Sequence, residues 1–259
     1  MISAALFAAL ALVSTDSTPP HTTFTLDSRH TGEARVINVY TPPGYDGTAR
    51  RRYPVLYMPD GGVAEDFPHV VVTVDSLIRN GVIPATLVVG IENTQRRRDM
   101  TGPTRIASDS AIAPRVGGSA AFRAFIRDEL IPEIGRRYRV NGDRAIVGES
   151  LAGLFIVETM LAEPRLFRRY IALSPSLWWN DDALLRTAPV QAARIPSGTA
   201  IWLSMAGEPG IGPQSDTLDT ILRASLRRGV RHTYHPRPDL THGTIYLGES
   251  PRALAETLR

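Results

Sequence analysis

Residues 144–153 read Arg144-Ala-Ile-Val-Gly148-Glu149-Ser150-Leu151-Ala152-Gly153. The first four residues suit a short strand, and the apolar run from Leu151 onward, over residues 151–161, suits a helix. A strand that turns sharply into a helix with a serine at the corner has the form of a nucleophile elbow. The turn is tight, so the positions two residues to either side of the serine must be small, and Gly148 and Ala152 are. The hydroxyl then lies at a helix N-terminus, where the backbone dipole favours developing negative charge. G-x-S-x-A alone is a common string, and a serine there could equally serve as a helix N-cap. The strand–turn–helix context makes Ser150 the candidate nucleophile. Glu149 lies inside the turn and reads as a structural contact beneath the site.

The chain around this elbow alternates strands and helices. Two alternating stretches, residues 22–26 and 34–40, read as antiparallel edge strands. The continuous apolar runs YPVLYM (53–58) and ATLVVGI (85–91) suit strands buried on both faces. Further strands are expected at 144–147, 169–173, 200–205 and 232–235, and helices at 67–80, 120–138, 151–161, 217–228 and 251–258. Residues 93–114 read as a long polar loop, a kind of segment that is often functional. The alternation predicts an α/β fold, with a mostly parallel central sheet of about eight strands and helices on both faces. No internal repeat or linker interrupts it, so residues 18–259 are expected to form one domain.

Composition narrows the function. All 29 basic residues are arginine, the formal net charge is +3, and the hydrophobic fraction is 43%. The arginines are scattered without interleaved aromatics, which argues against nucleic-acid binding. The chain contains no cysteine, so disulfides, thiolate metal sites and cysteine nucleophiles are excluded. No H-x-x-H or H-E-x-x-H ligand set occurs, and neither metal nor organic cofactor is expected. The apolar run MISAALFAALALV is too short for a bilayer-spanning helix, which needs about 20 residues. It resembles the core of a secretory signal. A leader over residues 1–17 and export to the periplasm or medium are therefore expected, although a positive n-region is missing. No other segment could cross a membrane.

A serine hydroxyl needs a base. Of six histidines, His242 lies in D-L-T-H-G-T (239–244), beyond the last expected strand, and His235 is the runner-up. Order along the chain then runs nucleophile, acid, histidine. An acid that fixes the imidazole tautomer is expected after strand 200–205. Glu208 is the first choice, with Asp216, Asp239 and Asp182 as alternatives and an acid-free dyad also open. Backbone N–H groups must face the oxyanion. Leu151 should supply one, and Gly61, with Gly62 next to it in P-D-G-G (59–62), the other.

Several stretches together resemble the "Putative esterase" family of α/β-hydrolases, which includes esterase D-like and ferric-enterobactin (siderophore) esterase-like enzymes. They are YPVLYMPDGG, LVVGIENTQRRRDMT, FIRDELIPEIGRRYRV, RAIVGESLAG, IALSPSLWWN and THGT, in that order from residue 53 to residue 244. The resemblance implies the α/β-hydrolase fold and ester hydrolysis through an acyl-enzyme. It supports Ser150 and His242, and Gly61 and Leu151 for the oxyanion. It also marks Arg96–Asp99 and Ser176–Trp179 as pocket-lining. Arg96 and Arg98 could hold an acidic or catecholate substrate through bidentate hydrogen bonds, and Trp178 and Trp179 could stack on an aromatic one. Two departures stand out: Ala152 replaces the elbow's second glycine, and Gly210 falls where the family carries its G-x-x-D acid. The expected partner is a small-molecule ester. Two rival readings remain, an acyltransferase of the mycolyltransferase type and a non-catalytic binding protein on a hydrolase scaffold.

Overall fold

A computed structural model describes residues 18–46, 50–207 and 212–259. The expected leader, residues 1–17, and Glu208 lie outside the described residues. Eight strands form one sheet in the order β1-β2-β4-β3-β5-β6-β7-β8. They are β1 (His21–Ser28), β2 (Glu33–Tyr40), β3 (Tyr53–Pro59), β4 (Leu87–Ile91), β5 (Val140–Glu149), β6 (Arg169–Leu173), β7 (Ala200–Ala206) and β8 (Arg231–Arg237). β1 pairs antiparallel with β2, and β2 with β4; every other pair is parallel. This is the α/β-hydrolase arrangement, and β2 is interior rather than an edge strand.

The two-faced burial of the central strands explains their unbroken apolar runs. On β3, Val55 and Tyr57 enter one core, while Leu56 and Met58 enter the other. The first core also takes Phe122, Phe125 and Phe155, and the second takes Val70, Val74, Tyr246 and Leu254. The second core is closed by helices α1 (Phe67–Arg79) and α9 (His242–Thr257). On the other side lie α6 (Leu151–Ala162), α7 (Trp179–Ala192), α8 (Gly212–Ser225) and a longer helical run. That run consists of α4 (Ser119–Phe125), a π turn at Ile126–Leu130 and α5 (Ile131–Arg137). Pro132 cannot donate to the carbonyl four residues back, and the ladder widens just ahead of it.

Three expectations are corrected. The stretch 93–114 is not one loop, because it holds α2 (Arg96–Met100) and α3 (Ala107–Ser110). α7 was not foreseen; its Asn180, Asp181 and Asp182 have φ of 52°, 51° and 55°, which breaks any simple helical pattern. α9 begins at His242 and not at residue 251, with Pro251 inside it. Among the described residues no helix is long and apolar enough to cross a membrane.

Candidate active site

The C-terminal ends of β3, β5 and β7 and the beginnings of α6 and α9 bring together residues far apart in sequence. Ser150 stands between β5 and α6 with φ 59° and ψ −119°. This conformation is costly for a residue with a Cβ. Three main-chain bonds hold it: Ser150 N–H donates to Leu173 O at 3.0 Å, and Ser150 O accepts from Leu154 N at 2.9 Å and Ser176 N at 3.1 Å. The elbow's small residues have definite tasks. A Cβ on Gly148 would stand 2.7 Å from that of Ala152, so one glycine makes room for the alanine that replaces the other. Gly153 is pressed against Pro175, where a Cβ would come within 3.0 Å of the backbone.

His242 is the first residue of α9 and not a loop residue. Thr241 caps the helix through a capping box with Thr244, whose Oγ1 accepts from Thr241 N–H at 2.9 Å. The preceding loop is tied to the sheet because Gly207 N–H donates to Leu240 O at 3.0 Å. The result places His242 Nε2 2.9 Å from Ser150 Oγ across 92 residues of sequence. Glu149 Oε1 stands 3.1 Å from the same nitrogen. Ser176 Oγ lies 3.4 Å from Ser150 Oγ. The contact of Glu149 with the ring was not foreseen; its place next to the nucleophile was the only signal.

The other candidates divide. Leu151 opens α6, so its N–H belongs to the first-turn donors that have no acceptor within the helix. Gly61 does not keep a free amide, and its expected oxyanion role is corrected: its N–H donates to Ile91 O at 2.9 Å, closing the end of β4. Gly62 N–H donates to Glu65 Oε2 at 2.7 Å. His235 is held by Glu249 at 2.7 Å through Nδ1, in the same register row as Glu149 but three strands across the sheet. Asp216 accepts from Tyr234 O–H at 2.7 Å, Asp239 is paired with Arg237, and Asp182 lies in the left-handed break of α7.

Arg96 and Arg98 line one groove of about 510 Å³ with Gln95, Arg97, Pro114 and Arg115. Their guanidiniums already have partners. Arg96 forms a two-pronged pair with Asp60, at 2.7 and 2.8 Å. Arg98 bridges Glu33 at 2.5 Å and Asp99 at 2.6 Å, acids that also hold the buried Arg35. The free substrate-binding role expected for Arg98 is thus corrected to a structural one. Trp179 is also corrected: it is 4% exposed, and its Nε1–H donates to Gly102 O at 2.8 Å. Trp178 is half-buried, its ring centre 6.0 Å from that of Trp179. A larger cavity of about 670 Å³, lined by Arg127, Arg144, Arg165, Arg194 and Arg227, lies where β5–β8 begin, at the opposite edge of the sheet.

Beside Ser150 and His242, between α1 and α9, sits a polar cluster. Tyr246, one turn after His242, packs edge-on against the His69 ring at 4.6 Å. Burial holds His69 down to about 4. Burial, and then the charge of Asp60, push Asp66 up to about 6. Burial raises the Tyr246 hydroxyl further, aided by Asp66, Asp60 and Glu149. Burial thus shifts all three groups toward their neutral forms beside the Asp60–Arg96 pair.

Comparisons with known proteins add an independent line. The family model described as "Putative esterase" matches residues 28–222. The ferri-bacillibactin esterase BesA of Bacillus subtilis is 36% identical over 160 residues, 56% of this chain and 54% of that protein. The match therefore spans about half the length of that relative. The siderophore triacetylfusarinine C esterase of Aspergillus fumigatus is 29% identical over 198 residues, covering 69% of this chain and 66% of its own. An IroE-like serine hydrolase from Shewanella oneidensis superposes with a TM-score of 0.80 at 26% identity, over 92% of this chain and 80% of that one.

Proposed function

The chain belongs to the "Putative esterase" family, and from that membership we propose that it hydrolyses carboxylic esters with Ser150 as nucleophile and His242 as general base. The observation that carries the reading is the 2.9 Å approach of His242 Nε2 to Ser150 Oγ on a strained elbow. Nε2 takes the hydroxyl proton as Oγ bonds to the ester carbonyl carbon, and the carbonyl π pair moves onto oxygen. The Leu151 N–H faces that oxyanion. The C–O bond to the alcohol then breaks as Nε2 returns the proton to the leaving oxygen. Water repeats the two steps on the acyl-enzyme and releases the acid. The Ser150 side of the elbow needs no metal for any of these transfers.

The substrate class we infer is a siderophore ester. Two relatives carry the names ferri-bacillibactin esterase and siderophore triacetylfusarinine C esterase, and the arginine groove suits an anionic, iron-binding ligand. Arg96 and Trp178 are the proposed contacts. Turnover should be measured on p-nitrophenyl esters of graded chain length and on ferric and iron-free siderophore lactones. Hydrolysis that disappears in Ser150→Ala and in His242→Ala supports the mechanism; turnover surviving in a folded Ser150→Ala ends it. Aryl-ester cleavage without siderophore cleavage would keep the mechanism and remove the substrate class.

A further inference from the structure

We propose that Glu149 is a catalytic carboxylate, which holds the proton on His242 Nε2 during ester cleavage and sets the acidic limit of activity. The proposal rests on the reading of Ser150 and His242 given above and concerns the same site. An imidazole nitrogen offers one in-plane position, either a lone pair or an N–H. Ser150 Oγ takes it at 2.9 Å, and Glu149 Oε1 stands beside the same nitrogen at 3.1 Å.

With Nε2 bare, the serine O–H donates to it, while the carboxylate confronts a lone pair. With Nε2 protonated, the N–H points to the serine oxygen and the positive ring stands against an anion. The contact with Glu149 therefore favours the protonated nitrogen. During the reaction the proton leaves Ser150 Oγ for Nε2 as the Oγ–C bond forms. Glu149 stabilises the imidazolium while the tetrahedral intermediate exists. The proton then goes to the alcohol oxygen as the C–O bond breaks, and Glu149 itself gains and loses none. The same attraction has an adverse side, because it lets the free enzyme capture a solvent proton sooner on acidification, which disables the base.

Among the described residues, these groups face the pair. From the β3 turn comes Asp60, with the Arg96 guanidinium that also senses Glu149 and Asp66. α1 contributes Asp66 and His69, and α9 contributes Tyr246. The sixth strand's loop gives only the neutral Ser176 hydroxyl. Arg96 is neutralised by Asp60, and His69 and Tyr246 are held neutral. Asp66, held up to about 6, titrates in the same range, so Asp66→Asn serves as the background for the test.

The experiment compares Glu149→Gln with its parent, each with and without Asp66→Asn, over the acidic and neutral range. The readouts are the second-order rate of Ser150 labelling by a fluorophosphonate and kcat/KM on an aryl ester. Both proteins should be labelled. The acid limb of Glu149→Gln should move down by about one pH unit, the low end of what an adjacent opposite charge produces, and its plateau should fall several-fold. An acid limb that stays in place in a folded, labelled Glu149→Gln overturns the proposal. Absence of labelling in the parent at every pH would instead refute the underlying Ser150–His242 reading. Should Glu149→Gln fail to fold, proton NMR of the wild-type protein decides. The His242 ring, identified by its loss in His242→Asn, must titrate above free imidazole, and titration at or below that value overturns the proposal.

Discussion

Replacing Glu249 by glutamine should loosen the whole helix that begins at His242. Glu249 lies two turns into α9, and its carboxylate is fully buried. It accepts from His235 Nδ1 at 2.7 Å and from Arg237 Nη1 at 2.6 Å, both on β8. Arg237 extends the same fastening to Asp239, in the turn just before His242, at 2.6 and 2.9 Å. Removing one member of a buried, hydrogen-bonded charge pair costs about 3–5 kcal/mol. Arg237 keeps Asp239, so the lower end, about 3 kcal/mol, applies. For a chain of this size that corresponds to a fall in Tm of roughly 6–12 °C. Thermal melts followed by circular dichroism would measure it, together with Arg237→Gln and the double variant. If the clamp is real, the two losses overlap, with a coupling of about 1–3 kcal/mol. A loss in Glu249→Gln below about 1 kcal/mol, or strict additivity in the double variant, would refute the reasoning.

Two further outcomes follow from other positions. His69 is held at about 4, below the free histidine value, so the folded protein refuses a proton that the unfolded chain accepts; stability is intact above the unfolded value and is lost as pH falls from about 6.5 to about 4. His69→Gln should remove about 2 kcal/mol of that loss. Asp66 acts in the opposite direction, since its raised value favours the folded state as pH falls through about 6. Urea midpoints measured in this window test the pair, and an unchanged acid slope in His69→Gln would contradict the assignment. Gly61→Ala should cost at least about 3 kcal/mol, because the added Cβ would stand 2.2 Å from Ile91 N and 2.3 Å from Gly90 Cα, both rigid backbone. Normal urea stability of that variant would show that the β3 turn can move away from β4.

Features encoded over short range were legible. The strand–turn–helix corner at Ser150 could be read because its sterics involve neighbours in sequence, with Gly148 and Ala152 meeting across one turn. The parallel strands could be read because burial on both faces leaves no polar alternation. What depended on distant partners could not be read. The interior place of β2 was hidden because its alternation suits an edge equally well. Arg98 looked like a free loop cation, yet Glu33, 65 residues earlier, holds it. Gly61 looked like an oxyanion donor until the end of β4 supplied an acceptor for its amide. The start of α9 was missed because Pro251 suggested a helix beginning, whereas the Thr241–Thr244 box begins it nine residues earlier. Glu149 belongs to the same class: the string showed its neighbour, but only folding brought His242 beside it.

The backbone twist at Ser150 also bears on how such a protein persists through evolution. A residue kept in that conformation costs about 1–3 kcal/mol, and glycine would adopt it with far less strain. A Ser150→Gly lineage would thus gain sturdiness in the same step that ended the proposed chemistry. Nothing in folding guards the hydroxyl; only the repeated need for the product does. Where that need lapses, drift should erase this residue early, and the scaffold would survive it in better health.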